Sequence, residues 1–162
     1  MPSPIVIRLL LLLFLANGTP VMVKKLLGNR WSYPLDWHHK FLDGRPLFGR
    51  SKTIRGVALA IVSTTVGAAL LGLGWRIGVL VGTLAMVGDL SSSFLKRRLG
   101  RLSSTPALGL DQIPESLFPL LGCVGPLSLT VVDVAIGVAV FFVAELLVSR
   151  VLYAFDLRER PY

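Results

Sequence analysis

Apolar and polar residues fall in long blocks along this chain, not in alternation. Residues 5–23 are apolar apart from Arg8 and the group Asn17-Gly18-Thr19-Pro20. A second apolar block covers 56–73 and a third 75–95, with Gly74 between them; two more cover 113–127 and 131–152. Such blocks predict helices, and helices that are apolar all round need lipid or a large core about them. The short turn at Gly74 permits only an antiparallel hairpin of the second and third. The interruptions, 24–55 and 96–112, are polar and hold turn residues such as Gly28, Pro34, Gly44 and Pro46. The pattern predicts an all-α, polytopic membrane protein, a single domain over residues 1–162 with about five transmembrane helices and two cytoplasmic polar loops. Pro20 is expected to break or bend the first helix, and Pro119 and Gly122 to interrupt the fourth, with Pro126 closing it.

Composition agrees with lipid as the solvent. The 162 residues are 53% hydrophobic with a mean hydropathy of +0.70, which in a soluble globule would leave large apolar patches exposed. The net charge of +8 raises nucleic acid as a partner, but the placement of the charges argues against it. Of 17 Lys and Arg, eight lie between Lys24 and Arg55, four between Lys96 and Arg101, and three between Arg150 and Arg160. They flank apolar spans and so set topology: N-terminus outside, both loops and the C-terminal tail cytoplasmic, in the cell (inner) membrane. A cleaved signal peptide is the competing reading of the first block, and Lys24 and Lys25 directly after it oppose that. Cys123 stands alone, so no disulfide or cysteine metal site is available. The adjacent His38 and His39 match no zinc spacing and read as a solvated or interfacial pair. Trp31, Trp37, Tyr33 and Phe41 suit an ordered loop at headgroup level.

The candidate chemistry begins at Gly88-Asp89, where a carboxylate closes an apolar run. A carboxylate there is a functional-site hypothesis by default. On a continuing helix Asp89, Ser93 and Lys96 share one face, and Ala85, Gly82 and Gly78 extend that face with residues small enough for close approach. The alternative is that Asp89 merely pairs with Lys96 or Arg97 at the interface. In the first loop, the stretch from Asp43 to Gly56 combines glycines with Arg45, Lys52 and Arg55, cations of the kind that hold phosphates. It is not a P-loop, since Arg50 and Ser51 separate Gly49 from Lys52 and no strand precedes it. Attraction to anionic lipid is the plainer reading of these cations. Asp111 is placed to cap the next helix, with Pro114 in its first turn. Asn17 either hydrogen-bonds across helices or belongs to the site. Asp133 is expected to answer a helix N-terminus and Glu145 to pair with a basic residue such as Arg150.

Both loops fall on one side, and each brings carboxylates and cations to a span boundary. Asp89 and Asp111 can hold one or two magnesium ions shared with substrate phosphates. Lys52, Arg55, Lys96 and Arg97 can neutralise a polyphosphate. Phosphoryl-type transfer needs little beyond in-line positioning and charge neutralisation. A small transporter or a non-catalytic scaffold is the alternative. Transport predicts internal repeats that the chain lacks, and a scaffold leaves the Asp89, Ser93, Lys96 and Asp111 set without a purpose.

Gly88-Asp89, Ser93, Lys96-Arg97 and Leu110-Asp111 resemble the signature of membrane cytidylyltransferases that make CDP-diacylglycerol. The short format, with Ala16-Asn17 and Pro20, Asp43-Gly44-Arg45, Phe48-Gly49, Lys52-Thr53, Arg55-Gly56 and Asp111-Gln112-Ile113-Pro114, is more similar to the CDP-archaeol synthase branch. The resemblance covers about Asn17 to Pro119. It implies transfer of CMP from CTP to a lipid phosphate, release of pyrophosphate, and a requirement for magnesium. It implies catalytic roles for Asp89, Lys96 and Asp111, with Asp89 and Asp111 binding metal. Asn17, Asp43, Arg45, Lys52, Thr53, Arg55, Ser93 and Arg97 are then implied to bind substrate. The acceptor is first an archaeol-type ether lipid, with phosphatidic acid or another lipid phosphate open. The diacylglycerol-type Pro-Gly-His-Gly-Gly element is absent between Arg98 and Asp111, so lipid choice does not carry over from those enzymes.

Overall fold

The computed structural model describes residues 3–28, 30–103, 105 and 107–154, with side chains as far as 150. Among the described residues six helices follow one another: α1 (Pro4–Leu27), α2 (Ile54–Leu70), α3 (Trp75–Arg98), α4 (Gln112–Gly122), α5 (Val124–Leu127) and α6 (Val131–Ala154). No strand occurs among the described residues, only isolated bridges between Pro34 and Thr53 and between Lys40 and Pro46. Among the described residues three segments are long and apolar enough to cross a membrane, α1, α3 and residues Val131–Arg150 of α6; α2 is apolar but shorter, at 17 residues.

Ser3 starts α1, its hydroxyl accepting the Val6 N–H at 3.4 Å, with Pro4 in the first turn where no N–H is needed. The expected break at Pro20 does not occur. The helix runs on to Leu27, with Lys24 and Lys25 in its last turn where cations suit the dipole. A proline ring removes one hydrogen bond, and since Gly18, Thr19 and Val21 beside it are weak helix formers, it is the packing of α1 against its neighbours, not propensity, that carries the backbone through. The polar loop therefore begins at Gly28, later than the expected 24.

Small residues weld α2 to α3. A Cβ on Gly78 would lie 2.4 Å from the Thr64 carbonyl oxygen, and one on Gly82 would lie 2.9 Å from the Ile61 Cα, so only glycine allows these backbones to meet. Ala85 is fully buried on the same stripe. Further along, Gly88 faces the first turn of α4, where a Cβ would come within 2.3 Å of the Pro114 carbonyl oxygen. Gly88→Ala should therefore displace α4, costing about 1–3 kcal/mol as an overpacked contact does. The expected result is a lower apparent melting temperature in detergent and a loss of turnover.

The fourth apolar block is two helices, not one interrupted by Pro119. That proline lies inside α4, which ends at the expected Gly122; Cys123 separates it from α5, itself ended by Ser128 in a left-handed conformation (φ 51°). Gly122 and Gly125 supply flexibility there, and Pro126 lacks the N–H that would continue the Gly122 ladder. Asp133 opens α6 by accepting the Thr130 N–H at 3.0 Å while Thr130 Oγ1 accepts the Asp133 N–H at 3.1 Å.

Helix α3 sits between α2 and α4, α1 packs on α2, and α6 lies against α4 and α1. Phe14 meets Phe141 with ring centroids 5.4 Å apart, joining α1 to α6 within a core that includes Leu9, Leu12, Leu13 and Val81. Outward positions such as Leu11, Val62, Leu70, Val140, Val143 and Leu147 are exposed. Such a surface is matched to lipid.

Candidate active site

The C-terminal ends of α1 and α3 and the N-terminal ends of α2 and α4 gather at one end of the bundle, where the two polar loops fold over them. The first loop is ordered from within. Asp36, 5% exposed, accepts N–H groups from His38 (3.1 Å), Phe48 (3.1 Å) and Gly49 (2.9 Å). Burial raises its pKa, but the three N–H groups outweigh burial and hold the carboxyl below the usual 3.8. Stability from this group is present above pH 3.8 and lost as pH falls through the depressed value. Asp36→Asn turns an amide against donors and should cost about 1–3 kcal/mol of local order. Limited proteolysis should then cut within 28–53 faster than in the parent.

The loop is pinned from outside by residues also named as candidate substrate ligands. Asp43 accepts the Arg45 N–H at 3.1 Å and pairs with Arg98, whose guanidinium lies 4.8 and 4.9 Å from the rings of Phe41 and Phe94. Arg45 donates to the carbonyls of Arg97 (3.2 Å) and Arg98 (2.7 Å), capping the negative end of α3. Thr53 caps α2 by accepting the Gly56 N–H at 3.1 Å. Arg55 donates to the carbonyls of Arg30 and Gly28 beyond the end of α1. In this conformation Asp43, Arg45, Thr53 and Arg55 hold the loop in place.

What that placement delivers is Lys52. Its ammonium donates to both carboxylate oxygens of Asp89, with 21% and 22% of the two side chains exposed. Burial lowers the Lys52 pKa, but the Asp89 carboxylate wins and raises it above 10.5. Lys52 is therefore charged at neutral pH, and its stabilising contribution fades only as pH rises through the elevated value. The alternative pairing of Asp89 with Lys96 or Arg97 is not what forms. Lys96 lies two helical turns further on, about 10 Å along the axis. It pairs with Asp111 at 2.7 Å and donates to the Thr105 carbonyl at 3.2 Å. Ser93 is buried between them on the same face.

Asp111 occupies the N-cap position of α4 without capping it. Its own backbone is helical (φ −81°, ψ −50°), and its Oδ2 accepts the Ala107 N–H at 3.1 Å instead. Ser92 fixes this approach by donating to the Leu110 carbonyl at 2.6 Å. Lys52 feels Asp89, Glu115 and Asp111 together, so the two candidate carboxylates share one cluster.

Glu115 was missed by sequence reasoning. It is 7% exposed, makes no hydrogen bond among the described residues, and interacts electrostatically with Asp89, Asp111, Lys52 and Glu145. Its spacing of four residues from Asp111 was a usable signal. Asn17 follows Phe14 by three residues, and Glu145 follows Phe141 by four, so both lie about one turn beyond the tilted ring pair. Both polar atoms of the Asn17 amide are shielded and without a hydrogen-bond partner among the described residues. His39 sits apart from this cluster in the loop, its Nδ1 3.0 Å from the Asp36 carbonyl oxygen.

Lysines and carboxylates paired at one end of an apolar helical bundle are the equipment of an integral membrane enzyme that handles phosphates. Residues 73–162 match the family model described as CarS-like CDP-archaeol synthase. The chain is 34% identical over 153 residues to a CDP-archaeol synthase of Sulfurisphaera tokodaii, covering 91% of this chain and 89% of that protein. It is 33% identical over 154 residues to one of Pyrobaculum aerophilum, covering 92% of each. A solved structure described as an intramembrane enzyme for archaeal membrane lipids biosynthesis aligns with a TM-score of 0.70 at 29% identity, over 88% of this chain and 90% of that one. The chain belongs to the CDP-archaeol synthase family.

Proposed function

We propose that the cluster built on Lys52–Asp89 and Lys96–Asp111 is the catalytic centre of this cytidylyltransferase. The enzyme transfers CMP from CTP to a lipid phosphate. An oxygen of the lipid phosphate attacks the α-phosphorus of CTP. The bond from that phosphorus to the bridging oxygen breaks, and pyrophosphate leaves with the bonding electrons. The observation that carries the assignment is the shared neighbourhood of Lys52, which brings Asp89 on α3 and Asp111 before α4 to the same end of the bundle.

Lys52 and Lys96 neutralise the nucleotide's phosphates, and the Ser93 hydroxyl, between Asp89 and Lys96, donates to a phosphate oxygen. Asn17 offers an amide on the membrane side, while Asp43, Arg45, Thr53 and Arg55 serve substrate by holding the loop that carries Lys52. The donor set fits magnesium. No three His, Cys, Asp or Glu groups among the described residues could hold an ion by themselves, and magnesium is ordinarily held by one or two carboxylates with the rest from phosphates and water. Asp89 and Asp111 would be those carboxylates, and the bound ion would supply charge neutralisation on the phosphates.

We read five crossings, α1, α2, α3, the α4–α5 pair and α6, as one domain in the cell membrane with both loops cytoplasmic, following the positive loops. An archaeol-type ether lipid phosphate is the acceptor. The test supplies purified protein with labelled CTP, magnesium and either ether-linked or ester-linked lipid phosphate. Label is expected in the organic phase, highest with the ether lipid. Incorporation from neither overturns the activity, and preference for the ester lipid overturns the acceptor.

A further inference from the structure

One ridge of α3 is covered by no other helix, and it runs out into the loops. Trp75, Val79, Thr83, Val87, Ser91, Leu95 and Leu99 follow one another at four-residue steps, and all are exposed. The Ser91 hydroxyl donates to the Val87 carbonyl at 2.7 Å, so it asks nothing of its surroundings. With 24 residues α3 is about 36 Å long, a little more than the roughly 30 Å of a bilayer's hydrocarbon core. With Trp75 at one interface, Leu99 lies at the other. Lys96 and Arg97 of the same turn are buried on the side of the catalytic cluster, Arg97 donating to the Arg101 carbonyl at 2.5 Å.

Beside Leu99 stands the tip of the first loop. Residues 40–46 form a tight hairpin: Lys40 bridges Pro46, the Phe41 N–H donates to the Arg45 carbonyl at 2.8 Å, and Gly44, at φ 74°, donates to the Phe41 carbonyl at 2.9 Å. Phe41 packs edge-on against Phe94 with centroids 5.4 Å apart and Asp43 pairs with Arg98, so both neighbours of Leu42 are held on α3. Leu42 itself projects outwards, 96% exposed. Gly100 lies against the Arg45 guanidinium, a Cβ there being 3.3 Å from Nη1, which sets Leu99 (63% exposed) and Leu102 (77%) beside the hairpin. Lys40, Arg50 and Arg101 are exposed around them, while the hairpin's own carboxylate, Asp43, is taken by Arg98.

We propose that this hairpin is a membrane-inserted tip: Leu42, Leu99 and Leu102 enter the acyl boundary of the leaflet on the side of the catalytic cluster, and Lys40, Arg50 and Arg101 meet anionic headgroups at its surface. An ordered turn that holds a leucine away from every neighbour makes an apolar patch with no partner inside the chain. Two observations name the partner. The patch is continuous with the lipid-facing ridge of α3, and the charges around it are positive. Because Asp43 and Arg45 tie the tip to the end of α3, insertion seats the loop that carries Lys52 at the depth of lipid phosphates. The insertion is independent of which lipid phosphate is the acceptor and of the roles given to the catalytic pairs.

The experiment places a nitroxide on Leu42→Cys, on Leu102→Cys and, as the lipid-facing reference, on Leu95→Cys, each in the full-length protein with its single native cysteine replaced by Cys123→Ala. The proteins are reconstituted in vesicles of phosphatidylcholine alone or mixed with phosphatidylglycerol. Accessibility of each nitroxide to oxygen and to a polar nickel chelate is measured, with thermal unfolding of every variant. In mixed vesicles the oxygen-to-nickel ratio at positions 42 and 102 is expected within about twofold of that at 95 and about tenfold above a nitroxide in buffer, because the acyl region admits oxygen and excludes the polar chelate. The ratio should be about threefold lower in phosphatidylcholine alone, and Lys40→Gln/Arg50→Gln should abolish that difference. A chelate that reaches positions 42 and 102 as freely as it does in buffer overturns the insertion, and equal ratios in the two vesicle types overturn the headgroup contact. Dipolar broadening between nitroxides at position 42 also overturns the insertion, since a second copy of the chain would then cover the tip. If Leu42→Cys unfolds, Leu102→Cys decides by the same criteria.

Discussion

Asp89→Asn is expected to lower CDP-lipid formation by about two to three orders of magnitude, the scale of removing one preorganised electrostatic contributor. The exchange keeps the shape of the side chain and an acceptor for Lys52, so the bundle should assemble normally. What disappears is the negative charge that would hold a cation against the reacting phosphate. Measured in proteoliposomes with saturating CTP, the loss should fall on kcat more than on KM. Activity within threefold of the parent would remove Asp89 from the chemistry and return it to the role of a helix-end ion pair.

Lys96→Met should be nearly as damaging for a different reason. The side chain is 9% exposed and Asp111 is its partner at 2.7 Å. Removing the cation strands a mostly shielded carboxylate and releases the Thr105 carbonyl from its bond to the ammonium. Breaking one side of a buried pair costs about 3–5 kcal/mol, here discounted because 23% of the Asp111 side chain remains exposed. Turnover should fall about a hundredfold, as on losing one stabiliser of developing charge, together with a lower apparent melting temperature. Lys96→Met combined with Asp111→Asn should recover the melting temperature but not the turnover. If both recover, the pair is structural only.

The helices were legible as apolar runs, but their ends were not always where the run met polar sequence: α1 continues through Lys24 and Lys25 to Leu27, and the fourth run divides at Cys123. The small-residue face of α3 was legible for a related reason: Gly78, Gly82 and Ala85 repeat at helical spacing and leave room for a neighbouring backbone. Pro20 does not break α1 as one of its two expected effects had it, because the helix is held by packing through a stretch of weak helix formers. The pairing of Lys52 with Asp89 was out of reach: it joins residues 37 apart through a loop whose shape is set by Asp36, and nothing in the residues around Asp36 marks it as the acceptor of three backbone N–H groups. Asp111 carried two readings at once, cap and ligand, and the helical backbone at that position removes the first. Glu115 and Ser92 went unassigned because burial, not residue type, marks them out; which of Ser91, Ser92 and Ser93 looks inward depends on where α4 lands against Gly88.

The two lysine–carboxylate pairs have a thermodynamic corollary for the order in which substrates load. At rest their charges cancel, so a bare polyanion would claim the ammonium groups only by orphaning Asp89 and Asp111, and a bare cation would do the reverse. Neither tenant alone improves on the internal arrangement, whereas a nucleotide bringing its own counter-ion exchanges partners with every charge still matched. Affinity for either component is thus reciprocally tied to the presence of the other.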